Sequence, residues 1–114
     1  MRIIEGEQTL MRIFIGESDI ADGKSLHMAL LELFKKHGLA GATVLRGIAG
    51  YGARSHIHSA HLIELSRDLP VIVEVVDSQE HLDRVLPEVE TMMSGGLITM
   101  EKARVIRYSP GKAQ

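Results

Sequence analysis

Apolar positions change their spacing along this chain, and the changes mark out four strands and two helices. Thr9–Gly16 reads TLMRIFIG. Its Ile and Phe content suits a strand, with Leu10, Arg12 and Phe14 on one face and Met11, Ile13 and Ile15 on the other, expected to be the core face. Residues 1–8 precede it as an extension or lead-in. Glu17–Gly23 is a polar turn. Over Lys24–His37, Leu26, Ala29, Leu30, Leu33 and Phe34 repeat at the helical period. Ser18, Asp22 and Ser25 are candidate N-caps, and Gly38 is the stop. Ala42–Leu45 predicts a second strand and Leu69–Val76 a third, nearly all apolar apart from Glu74. Asp77 is expected to open a second helix with Glu80 as a capping-box pair. Its apolar face is Leu82, Val85, Leu86, Val89 and Met92 or Met93. Pro87 removes a backbone donor inside that helix, so a kink is expected there. Gly95 and Gly96 end it. Leu97–Met100 suggests a short strand and Ala103–Tyr108 the last one, before a tail at 109–114.

The order β-α-β-β-α-β predicts an α+β, ferredoxin-like sandwich, a four-stranded antiparallel sheet with two helices on one face. One sheet face is then uncovered. The third strand is apolar on both sides, so that face is expected to meet another subunit.

Composition narrows the function. The 114 residues fit a single domain, 1–114. A net charge of −2, two Phe, two Tyr and no Trp argue against nucleic-acid binding. The absence of Cys excludes thiolate chemistry and suits a reducing cytoplasm. No apolar run reaches the length of a membrane span. A cytoplasmic protein without direct membrane insertion is expected.

The densest chemistry follows the second strand. Gly47, Gly50 and Gly52 crowd into six residues of ATVLRGIAGYG (42–52) and lead into ARSHIHSAH (53–61). Such glycines imply close backbone approach or angles that a side chain forbids. The segment 53–68 is expected to be a mobile loop beside a binding cleft, in which His61–Leu65 could pair as a strand extension. Within it, His56, His58 and His61 have a spacing that could hold Zn, Ni or Cu, or could be solvated or contact phosphate. Arg54 is the better functional candidate there, and Arg46 is as readily a salt-bridged strand residue. Glu74 is best read as an interface or sheet-edge ion pair. Met92, Met93 and Met100 read as core or interface filler, and His27, His37 and His81 as helix-surface residues. Ser55 and Ser59 sit among histidines. No strained elbow holds either of them and no buried acid is apparent to orient a His, so no enzymatic activity is expected.

The segments RIFIGESD (12–19), GLAGATVLRGIAGYG (38–52), SHIH (55–58), LSRDLPVIVEVVD (65–77) and GLITMEKARVIRY (96–108) occur in this order. On them the chain resembles the PII signalling proteins, and more closely the PII-like family known as domain of unknown function 190. The resemblance spans about Leu10 to Tyr108. It implies a PII-like homotrimer with sheets facing inward, an adenine nucleotide bound in the clefts between subunits, and a loop at about 53–66 that engages a protein partner, often a membrane transporter or metabolic enzyme. It implies no required cofactor.

Carried over by position, Thr43 and Val44 match residues on the adenine side of the cleft. Gly50 and Gly52 match the loop-base glycines. Arg104 and Arg107 lie in the segment that supplies Arg to the phosphates. Their opposite strand parity predicts that at most one enters a given cleft. Gly95 and Gly96 are what remains of a Gly-Asp-Gly-Lys phosphate loop, with Lys102 displaced and Ser109 where PII has a second Arg. Fewer phosphate ligands favour ADP or AMP over ATP, or another ligand. The alternatives are a metal-responsive module built on His56, His58 and His61 and, less favoured, a small enzyme.

Overall fold

The computed structural model describes residues 3–52 and 68–111. Its elements are β1 (Gly6–Gly16), β2 (Ile20–Ala21), β3 (Lys24–Ser25), α1 (Leu26–Lys36), β4 (Thr43–Arg46), β5 (Pro70–Asp77), α2 (Gln79–Met92) and β6 (Leu97–Val105). The main sheet runs β4-β5-β1-β6, every pairing antiparallel. This is the ferredoxin-like βαββαβ order, with β1 and β5 central and the two helices on one face.

Alternation along β1 decides which face is core. Met11, Ile13 and Ile15 are buried, with Val71, Val73 and Val75 of β5 beside them. Leu26, Ala29, Leu30, Leu33 and Phe34 of α1, and Leu82, Val85 and Val89 of α2, close over this surface. Their i, i+3, i+4 spacing gives each helix one apolar stripe. Met92, Met93 and Met100 pack against the same core, as filler.

Several boundaries differ from the sequence reading, for local physical reasons. β1 starts at Gly6, so part of the 1–8 extension is strand, paired with Val105 of β6. The polar turn after β1 opens into the two-residue ribbon β2–β3, which takes Lys24 and Ser25 out of the helix. Ser25 is the N-cap residue by position, but its side chain makes no cap; Leu26 N–H donates to the Asp19 carbonyl instead. Asp77 does not cap α2. It is fully buried at the end of β5, and Ser78 is the N-cap, accepting from His81 N–H at 3.1 Å. α2 runs continuously through Pro87, whose carbonyl accepts from Thr91 Oγ1.

The two expected C-terminal strands are one. β6 pairs with β1 without interruption from Leu97↔Phe14 to Gly6↔Val105. The charged pair Glu101–Lys102 does not break it, because β6 is an edge strand whose outer flank is exposed. Ile106–Tyr108 lie beyond the strand, and Tyr108 Oη donates to the Ala40 carbonyl at 3.4 Å.

Among the described residues, the sheet's other face carries no helix. Register lines its side chains into rows across the strands. Leu45, Ile72, Phe14 and Leu97 form an apolar row. Thr43, Glu74, Arg12 and Thr99 form the next, and Val76, Leu10 and Glu101 follow. Arg12 sits between two carboxylates: Nε donates to Glu74 at 2.8 Å, and Nη1 to Glu101. The hydrogen bond to Glu74, ahead of the Coulomb attraction of both acids, holds the guanidinium pKa above its ordinary value. Glu74 is thus ion-paired as expected, but within one chain and on the central strand β5 rather than at a sheet edge.

Candidate functional site

A cleft of about 470 Å³ opens at one end of the sheet. Three chain exits build it. β1 ends in Phe14, Ile15 and Gly16; the chain leaving β4 supplies Tyr51 and Gly52; the chain leaving α2 supplies Ser94, Gly95, Gly96 and the first residue of β6, Leu97. Asp19, Asp68 and Pro70 complete the lining.

Glycine is required at two of these points by close approach. Gly96 has φ +119°, and a Cβ there would lie 2.7 Å from the Phe14 carbonyl oxygen. Gly50 has φ +155°, and a Cβ would meet Pro70 Cγ at 2.8 Å. Both are backbone conformations that L side chains resist. Gly47 N–H donates to the Pro70 carbonyl at 2.7 Å, so the chain leaving β4 lies directly on the start of β5.

The turn after β1 holds both roots of the segment between Gly52 and Asp68. On one side Arg46 makes a two-point pair with Glu17, Nε to Oε2 at 2.9 Å and Nη2 to Oε1 at 3.1 Å. On the other, Glu17 N–H donates to the Leu69 carbonyl at 2.9 Å and Ser18 Oγ to Asp68 Oδ1 at 2.8 Å. Arg46 is therefore an ion-paired strand residue, one of the two readings open from sequence. Charge-assisted, forked bonds of this kind fix geometry well.

The expected nucleotide residues fall into two groups. Gly52, Gly95 and Gly96 meet in the cleft, and Gly50 packs on Pro70 at its edge. Thr43, Val44, Arg104 and Arg107 do not join them within one chain. Val44 pairs with Val73 and packs against the core, so of that pair only Thr43 has its side chain on the open face. Arg104 pairs with Glu7 near the far end of the β1–β6 ladder, whereas Phe14↔Leu97 borders the cleft. Those seven residue steps span roughly 23 Å. Arg107 lies outside β6, so the parity argument that set it against Arg104 does not apply. Arg54, His56, His58 and His61 lie outside the described residues, as does the suggested strand at 61–65. The metal-responsive alternative depends on these histidines. Among the described residues, no group of three or more His, Asp or Glu is arranged to hold a metal ion.

The cleft also contains residues that sequence reasoning passed over. Gly16, Asp19, Asp68 and Pro70 were legible only as a strand end, a turn, the last residue of the 53–68 connection and a strand start. Their signal was adjacency to the glycine-rich stretch in space, which no local pattern carries.

A buried acid beside a histidine is present after all. Asp77 is fully buried, its Oδ1 is 3.8 Å from His81 Nδ1, and Ser78 Oγ is 2.6 Å from the same nitrogen. A relay needs the acid on one ring nitrogen and the nucleophile on the other. Here both meet Nδ1, and Asp77 instead accepts from Ala40 N–H at 2.9 Å and Ser78 N–H at 2.7 Å. The group is structural. His81 is accordingly half-buried rather than a free surface residue. His27 Nδ1 is buried without a partner among the described residues, and His37 pairs with Glu88 at 3.1 Å.

Residues 8–105 match the DUF190 family model, described as an uncharacterized family. The chain belongs to the DUF190 family. A UPF0166 protein of Aquifex aeolicus is 42% identical over 106 residues, covering 93% of this chain and 98% of its own. Another, from Methanocaldococcus jannaschii, is 35% identical over 99 residues, covering 86% and 91%. Among solved structures, this DUF190 chain resembles CPII of Thiomonas intermedia bound to ADP and bicarbonate, with a TM-score of 0.57 at 16% identity over 93% of each chain. A candidate PII-like signalling protein of Thermus thermophilus gives 0.59 at 20% identity, over 93% of this chain and 94% of that one. The fold is thus PII-like. No helix among the described residues is long and apolar enough to cross a membrane.

Proposed function

We propose that this DUF190 protein is a PII-like regulatory protein. It binds an adenine nucleotide in clefts between copies of a homotrimer and acts on a partner protein through residues 53–66. The observation that carries the reading is the cleft itself, formed where the β4 and α2 exits converge on the end of β1. Gly50, Gly52, Gly95 and Gly96 bring backbone close to a ligand there, without side chains to block it. The fold neighbour from Thiomonas intermedia has been solved with ADP and with both ADP and AMP, which supports this ligand class.

The cleft's described lining contains no Lys or Arg. A phosphate held there needs cations from elsewhere, which favours a site completed by another copy. On this reading Arg104 and Arg107 enter the neighbouring copy's cleft, where a planar guanidinium suits phosphate oxygens. Thr43, on the open face of the edge strand β4, contacts the adenine side, with Val44 behind it holding the strand to the core. Arg54 joins from the connecting segment. The uncovered sheet face, with its apolar row of Leu45, Ile72, Phe14 and Leu97, is the assembly surface. The partner is a protein, of the class of membrane transporters or metabolic enzymes of the cytoplasm. The protein needs no cofactor and performs no chemistry of its own.

Calorimetric titration of metal-free protein with ATP, ADP, AMP and cyclic AMP tests this, with sedimentation for the assembly. Saturable binding near one nucleotide per chain, without hydrolysis, is expected. No binding to any of the four overturns the reading and turns attention to metals and the loop histidines.

A further inference from the structure

The cleft wall carries charge of the wrong sign for a polyphosphate. Asp19 and Asp68 both line it, and no basic residue among the described lining offsets them. Both carboxylates are built in. Asp19 Oδ2 accepts from Gly16 N–H at 3.0 Å, and Asp68 Oδ1 accepts from the Ser18 hydroxyl at 2.8 Å. The bare Cα of Gly16 lets them converge. A Cβ there would lie 2.5 Å from Asp68 Oδ1 and 3.4 Å from Asp19 Oδ1. Ser18 reaches Asp68 across fifty residues of sequence, so the pair is a product of the fold and not of one acidic run.

We infer that this acidic corner makes the cleft charge-selective, with Asp68 and Asp19 as the specificity-determining residues. Among AMP, ADP and ATP the cleft favours the one with the fewest phosphate charges, and it takes a polyphosphate well only together with a divalent cation. This rests on the nucleotide reading above. Ionised carboxylates only accept hydrogen bonds, as phosphate oxygens do, so the two cannot pair. They repel, and a partly enclosed cleft screens that repulsion less than open water. Ribose hydroxyls and the adenine amino group are donors, and a carboxylate receives them well. Two arginines from a neighbouring copy offset about the charge of the two acids and leave little for a second and third phosphate. A divalent cation bound with the phosphates would offset their charge, and Asp19 or Asp68 could offer it a carboxylate oxygen.

The test is titration of AMP, ADP and ATP into the wild type, Asp68→Asn and Asp19→Asn, each in EDTA and in excess Mg²⁺. Asparagine keeps one acceptor oxygen for each of these hydrogen bonds, removes the charge, and puts an amide donor in place of the second oxygen. In EDTA the wild type should bind AMP more tightly than ATP, and each variant should narrow that ratio about five-fold. Mg²⁺ should narrow it in the wild type, a readout that needs no variant. ATP binding as tightly as AMP in EDTA, or unchanged ratios in both variants, overturns this inference and leaves the nucleotide reading standing. Failure of all three nucleotides to bind the wild type overturns both.

Discussion

Gly96 and Phe14 meet backbone to backbone: a Cβ on Gly96 would stand 2.7 Å from the Phe14 carbonyl oxygen. Phe14 is also the residue that starts the β1–β6 ladder, opposite Leu97. The chain leaving α2 can therefore enter β6 only by passing a carbonyl that does not move without opening the sheet. Gly96→Ala adds a side chain at φ +119° against that oxygen. It is expected to destabilise the fold by about 2 kcal/mol and to distort the cleft. Urea unfolding checks the first effect, and nucleotide titration of the folded variant the second.

Division of the ligand residues between two ends of the chain makes a sharper test of assembly. Gly52→Val and Arg104→Ala should each weaken nucleotide binding while leaving the oligomer intact. Arg107→Ala should do the same. If Arg104 acts on a neighbour's cleft, mixing the Gly52→Val and Arg104→Ala chains and letting them exchange should restore about a quarter of the sites, since random assembly pairs the two intact halves that often. No restoration after demonstrated exchange would place Arg104 outside the site.

Arg12 lies between Glu74 and Glu101 on a face otherwise rich in Leu10, Phe14, Ile72 and Val76. Arg12→Met removes the cation and leaves two acids facing the proposed interface. Self-association should weaken, with the dissociating species appearing at higher protein concentration in sedimentation velocity. Adding Glu74→Gln to Arg12→Met should recover part of the loss. A repulsion between unpaired acids relaxes that way, whereas a mere packing defect does not.

Asp77 is a fully buried carboxylate that ties the α1–β4 connection to the end of β5 through Ala40 N–H and Ser78 N–H. Asp77→Ala leaves both donors without their partner and is expected to cost about 2–4 kcal/mol. Asp77→Asn keeps an acceptor oxygen and should cost less. Urea midpoints at constant slope separate the two.

How much of this was legible in advance differs by residue. The alternation of Met11, Ile13 and Ile15 and the helical spacing of Leu26, Leu30, Leu33 and Phe34 predicted the core directly, because burial on one face imposes its period on the sequence. Glu74 stood out as a single charge in an apolar strand, and its ion-pair role followed. Asp77 misled: a cap and a buried staple use the same residue type at the same point in the chain, and only burial tells them apart. Glu101 and Lys102 fall between the two expected strands because two adjacent charges break the alternation. An exposed edge strand is held by its ladder to β1 and needs none.

The sequence by itself determined the order of the helices and the main-sheet strands, the core face of β1 and of both helices, and the family. These follow from periodicity and from segments kept in order, both of which are properties of the linear chain. Only the tertiary structure decided which residues share a cleft. It set Asp19 and Asp68 over Gly16, seated the β4 exit on Pro70, and put Arg104 and the cleft at opposite ends of one ladder. Those relationships arise from strand register and from three chain exits meeting at the end of a sheet, and residues so brought together are too far apart in sequence to leave a local pattern.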